Sequence, residues 1–79
     1  MKITFWDDDL CCICAQELPA VPAVGDTVVL YGTTCTVVDN DLAAALDKYV
    51  PWVDKTKHPH PVEVAGFGPA HAPTVPLAG

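Results

Sequence analysis

Apolar and polar positions alternate at the start of the chain. In Lys2–Trp6, Ile3 and Phe5 fall on one face and Lys2, Thr4 and Trp6 on the other, the two-residue period of a β-strand. Asp7-Asp8-Asp9 breaks the alternation and predicts a hairpin turn. Leu10–Glu17 reads as the returning strand. Cys11, Ile13 and Ala15 share one of its faces and Leu10, Cys12 and Cys14 the other. Both faces are apolar, so the pattern leaves open which one is buried.

Pro19-Ala20-Val21-Pro22 is excluded from a strand interior, because proline has no N–H to give a ladder. Gly25-Asp26 predicts a turn. Asp26–Tyr31 predicts a strand rich in β-branched residues, Gly32 a short hairpin loop, and Thr34–Val38 the return. Val28 and Leu30 then share a face with Cys35 and Val37. From Asp39 to Val50 the period changes: Leu42, Ala45, Leu46 and Tyr49 fall at helical spacing. Asn40 is the expected cap, Asp41 suits the positive end of the helix dipole, and Pro51 ends the element. So short a helix does not hold alone and has to lay its Leu/Tyr stripe on the sheet. Trp52–Pro61 reads as a loop and Val62–Val64 as a last short strand, closed by Gly66-Phe67-Gly68-Pro69.

The expected architecture is mainly β (α+β): a small, partly open barrel of about five short strands and one short helix. The barrel domain is placed at residues 1–69, followed by a Pro-rich tail or arm at 70–79. A chain of 79 residues is one domain, and a core of this size yields only a few kcal/mol of net stability. At 51% hydrophobic and 18% charged residues the composition is that of a folded domain.

The segment Pro22-Ala23-Val24-Gly25-Asp26-Thr27-Val28-Val29-Leu30-Tyr31-Gly32, followed by Cys35-Thr36-Val37-Val38, resembles a P-x-x-G-D-x-V-x-L-x-G-x-x-Y-x-V hairpin. That hairpin occurs in short bacteriophage and mobile-element proteins, which form SH3-like β-barrels. The resemblance covers about twenty residues and implies a fold, not an activity. Cys35 stands where that pattern has an aromatic, so Tyr49 or Trp52 is expected to fill the space. In size, charge and lack of motifs the chain is also similar to phage inhibitors of bacterial defence, the anti-CRISPR proteins among them.

Charge narrows the function classes. Ten acids against four lysines, with no arginine, give a formal net charge of −6. Without the bidentate guanidinium fork the chain is poorly equipped to grip phosphate, and its field repels nucleic acid. No secretory signal and no run of some twenty apolar residues is present, and Cys11, Cys12, Cys14 and Cys35 read as reduced thiols. A cytoplasmic location in a host cell is therefore expected.

Asp7, Asp8 and Asp9 are a solvated turn on the plain reading and an acidic knob for a lysine/arginine cleft on the functional one. Glu17, Asp39, Asp41 and Trp52 join them as candidate partner-binding residues, tryptophan being favoured as an interface anchor. The triplet lacks the D-x-D-x-D-G spacing of a calcium loop. Cys12, Cys14 and Cys35 are the metal candidates, although C-x-C on a straight strand holds a metal poorly and buried cysteine is commonly a small hydrophobe. Cys11-Cys12-Ile13-Cys14 is formally C-x-x-C but lacks the setting that activates a thiol. His58, His60 and His71 read as exposed loop residues, and a Cys35/His58 pair has no third group to orient it. No cofactor and no catalytic residue is assigned.

The expectation is a non-enzymatic inhibitor that blocks a basic, nucleic-acid-binding surface of a protein partner such as a CRISPR effector complex. It would touch neither nucleic acid nor membrane, and a homodimer remains open. Two alternatives stand beside it: a virion or assembly module joined through its tail and strand edges, and a cysteine-dependent metal protein.

Overall fold

The computed structural model describes residues 1–67; the 70–79 tail and His71 lie outside them. Five strands, β1 (Lys2–Trp6), β2 (Cys12–Glu17), β3 (Thr27–Leu30), β4 (Thr33–Asp39) and β5 (Pro61–Ala65), and one helix, α1 (Ala43–Tyr49), follow in chain order, with α1 between β4 and β5. They form a single curled, half-barrel sheet in the order β2-β1-β5-β4-β3. Read as a ring, this is chain order with the opening between β2 and β3. β1 and β5 are the parallel neighbours, and the other three pairs are antiparallel.

The concave face holds the main core: Ile3, Phe5, Leu30, Cys35, Val37, Val62 and Val64. The predicted hairpin face is present, with Val28 opposite Cys35 and Leu30 opposite Thr33. Leu18 and Val21 pack on this core from the β2–β3 connection, where prolines keep the chain out of the ladder. Tyr49 and Trp52 do not fill the space beside Cys35, since both are exposed, Trp52 at 78%. Gly66 comes close there instead, where a Cβ would lie 3.5 Å from Thr34 O.

Trp6, Leu42 and Leu46 form a second buried cluster, joined by Leu10, Ala45, Val50 and Val53. Thr4 and Trp6, on the other face of β1 from Ile3 and Phe5, are therefore buried as well. The helix is shorter than the period suggested, and Asn40 does not cap it. Leu42 occupies the cap position without a side-chain hydrogen bond, and no acid lies in the first turn. Asp39 and Asn40 are diverted because β4 runs on through Asp39, whose Oδ1 accepts the Asp41 N–H at 2.8 Å. Seven residues cannot sustain a helix alone, and burial of Leu42 and Leu46 supplies about 1.5–3 kcal/mol each. No helix among the described residues is long and apolar enough to cross a membrane.

Candidate functional site

Two strand irregularities shape one end of the sheet. Phe5 lies opposite Cys14, but Trp6 lies opposite Cys12, so β2 carries an extra residue at Ile13. The predicted strict alternation of Leu10–Glu17 fails at this point. On the other side, Val37 lies opposite Val64 while Asp39 lies opposite Glu63, so β4 carries an extra residue at Val38. A bulge re-aims the side chains beyond it. In a regular ladder Val38 would face Glu63; the bulge brings Asp39 there instead. Trp6 flanks Glu63 from β1, and the aspartate turn follows directly from Trp6.

The turn is built by its own first residue. Asp7 Oδ1 accepts N–H bonds from Asp9 at 3.0 Å and Cys11 at 2.9 Å, while the Leu10 N–H donates to Asp7 O. Leu10 takes φ +60° to complete the reversal. Asp7 therefore has a structural duty, and Asp8 and Asp9 are the exposed members. One carboxylate oxygen from each of the three lies within 4.8 Å of the others.

Glu63 records the electrostatics of this end. Partial burial lifts its carboxyl above the usual range, and Asp39, Asp8 and Asp7 push it further. Asp39 thus lies opposite Glu63, Asp8 and Asp7 act on it through their charge, and the Asp39 side chain ties in Asp41. The ion pairs among the described residues lie elsewhere: the Met1 ammonium with Glu17 at 3.5 Å, Lys55 with Asp47, and Lys57 with Asp54 at 4.0 Å. Glu17 stands at the far end of β2, opposite Lys2, apart from the acidic end. Trp52 is exposed on the segment that also carries Lys55 and Lys57. Sequence reasoning missed Glu63. The available signal was a lone charge between two apolar residues in Pro61-Val62-Glu63-Val64-Ala65.

The thiols do not assemble. Among the described residues the one group of three metal-capable side chains within ligating distance is Asp7, Asp8 and Asp9, so Cys12, Cys14 and Cys35 form no such site. Burial raises the Cys12, Cys14 and Cys35 thiols above their ordinary range, with Cys14 adding to the first and last and Lys2 opposing at Cys12. That is the reverse of activation. Cys35 and His58 are separated by the sheet. Cys35 lies in the concave core, whereas His58 packs edge-on to Trp6 at 5.1 Å, with Nδ1 3.4 Å from Thr4 Oγ1. His58 and His60 are half-buried, not the exposed loop residues their setting predicted. Comparison of the chain with protein-family models, curated proteins and solved structures finds no match.

Proposed function

We propose that the chain is a non-enzymatic binding protein whose acidic end docks on a basic surface of another protein and excludes nucleic acid from it. The observation that carries this reading is Asp39 set opposite Glu63 by the β4 bulge, with Asp8 and Asp7 adding their charge to the same end and no ion pair among the described residues to offset them. Like charges gathered on one surface cost stability and are useful to a partner of opposite sign. Asp8, Asp9, Asp39, Asp41 and Glu63 make the contact, and Asp7 shapes the turn that presents two of them. Glu17 and Trp52 fall outside this surface.

The ring order of the strands, open between β2 and β3, supports the SH3-like reading of the Pro22–Val38 resemblance. The likeness to phage inhibitors of defence makes a CRISPR effector complex of a host cytoplasm the first partner to try. Binding of labelled target DNA by such a complex, read by fluorescence anisotropy with and without the chain, tests the proposal. Inhibition is expected at low salt, weaker at high salt, and lost on Asp8→Lys with Asp9→Lys. Asp7 is left in place to keep the turn. Undiminished inhibition by the folded double variant overturns the reading.

A further inference from the structure

β2 is an edge of the sheet, bonded to β1 alone among the described residues. Its free side can be read from one end. The Met1 ammonium donates to Leu18 O at 2.7 Å, and the Leu18 N–H donates to Met1 O at 2.9 Å. Leu18 thus turns both backbone groups toward β1. Because these groups alternate along an antiparallel ladder, Gln16 and Cys14 also face β1. Ala15 and Glu17 point their N–H and C=O away from the sheet, and both residues are exposed. Protected edges carry lysine, proline or an inward charge. Cys12–Gln16 contains none of these, and its bulge touches only the Ile13 end.

We propose that β2 pairs antiparallel with β2 of a second copy of this chain about a twofold axis at Ala15, joining two five-stranded sheets into one continuous sheet. The register follows from the alternation. Outward-facing residues must oppose one another, and centring the axis on Ala15, where Ala15 meets Ala15 and Ile13 meets Glu17, pairs the longest stretch of β2 while keeping Glu17 away from its copy. Charge selects the same arrangement. The Asp7–Asp9 turn leads directly into the start of β2, whereas the Met1 ammonium and Lys2 stand with Glu17 at its other end. Antiparallel pairing brings the three carboxylates of one copy toward Lys2 and the Met1–Glu17 ion pair of the other, twice over, whereas parallel pairing would set the two aspartate turns side by side. The other edge, β3, is shorter at four residues and has no lysine in its own strand or in neighbouring β4 to complement a second copy. An isologous contact of this kind closes at the dimer.

The test needs no partner protein, so it stands apart from the acidic-end reading. Light scattering on a sizing column gives the mass of the full chain at high micromolar concentration, and amide exchange by NMR reports Ala15 and Glu17. The expected mass is twice 8.4 kDa, with both amides protected at high concentration and exchanging freely on dilution. Ala15→Pro removes an N–H that β1 does not use, and Ala15→Lys sets a charge on the edge. Each is expected to give a folded monomer. A wild-type monomer overturns the proposal. So does a dimer that survives folded Ala15→Lys, or one whose Ala15 amide stays unprotected. If Ala15→Pro fails to fold, Ala15→Lys and the exchange data still decide.

Discussion

Glu63→Gln keeps the shape of the side chain in β5 and removes its charge. Asp39 lies directly opposite Glu63 across β4 and β5, and like charges so placed cost about 0.2–1 kcal/mol. Asp8 and Asp7 add to the repulsion, with solvent screening holding their share to about a few tenths of a kcal/mol. The variant should therefore be more stable than wild type at neutral pH by about 1 kcal/mol, or about 4–8 °C in melting temperature for a domain of this size. The sign with pH follows from the raised carboxyl. Between the ordinary carboxyl range and the folded value, the native state binds more protons than the unfolded one, so acidification favours folding of the wild type. The penalty is absent below the unfolded pKa and develops as pH rises through the folded one. Thermal melts of both proteins across the acid range should converge in acid and separate toward neutrality. Glu17→Gln is the control. That carboxylate sits 3.5 Å from the Met1 ammonium, so its removal should bring no gain. A Glu63→Gln protein less stable than wild type at neutral pH, or a gain that does not change with pH, refutes the reasoning.

Phe5 is fully buried in the concave core, and Phe5→Ala should cost about 3–5 kcal/mol. That is about all of the few kcal/mol available to a domain of this length, so urea titration should show the variant largely unfolded. In native labelling with a thiol reagent, exposed Cys11 and Cys12 should react before buried Cys35, which should react only after unfolding; early reaction of Cys35 would contradict its place in the core. Gly32 has φ +80° with open space around a Cβ, so Gly32→Ala should cost about 1 kcal/mol in thermal melts through backbone strain alone. Thr56 donates its hydroxyl to Asp54 Oδ1 at 2.6 Å and its N–H at 3.0 Å, and these bonds hold the Asp54 carboxyl below its usual value. Thr56→Val should raise it in an NMR titration.

Strand content was legible because the alternation of Lys2–Trp6 and the β-branched runs around Gly32 state it locally. The pairing of Val28 with Cys35 follows from the same turn. The sheet order was not legible. β5 reads as a short final strand, yet it lies between β1 and β4, a placement that depends on contacts far apart in sequence. The two-residue pattern leaves the burial of Trp6 and Thr4 open; Leu42 and Leu46 packed against Trp6, and His58 beside Thr4, decide it. Asn40 has the chemistry of a cap but lies before the site where the helix begins, because β4 continues through Asp39. At the acidic end, the Asp7–Asp9 turn announces itself. Glu63 does not, because its neighbours are set by bulges at Ile13 and Val38, and a bulge changes register without leaving a mark in the hydrophobic pattern.

The two bulges also bear on why the acids gather. Had β4 run regularly, Val38 would lie opposite Glu63, and the apolar side chain would shield the charge at little cost. The bulge instead leaves Val38 at 43% exposure and turns Asp39 toward a carboxylate, so it exposes apolar surface and adds repulsion in one step. Folding alone favours neither. The lysines do not relieve the repulsion: Lys55 pairs with Asp47, Lys57 with Asp54, and Lys48 lies over the Tyr49 ring. A local arrangement that costs stability twice, and returns among the described residues only the Asp39–Asp41 hydrogen bond, is the pattern expected where stability has been given up for a site. The same Glu63→Gln substitution that raises the melting temperature should therefore weaken docking on a basic partner.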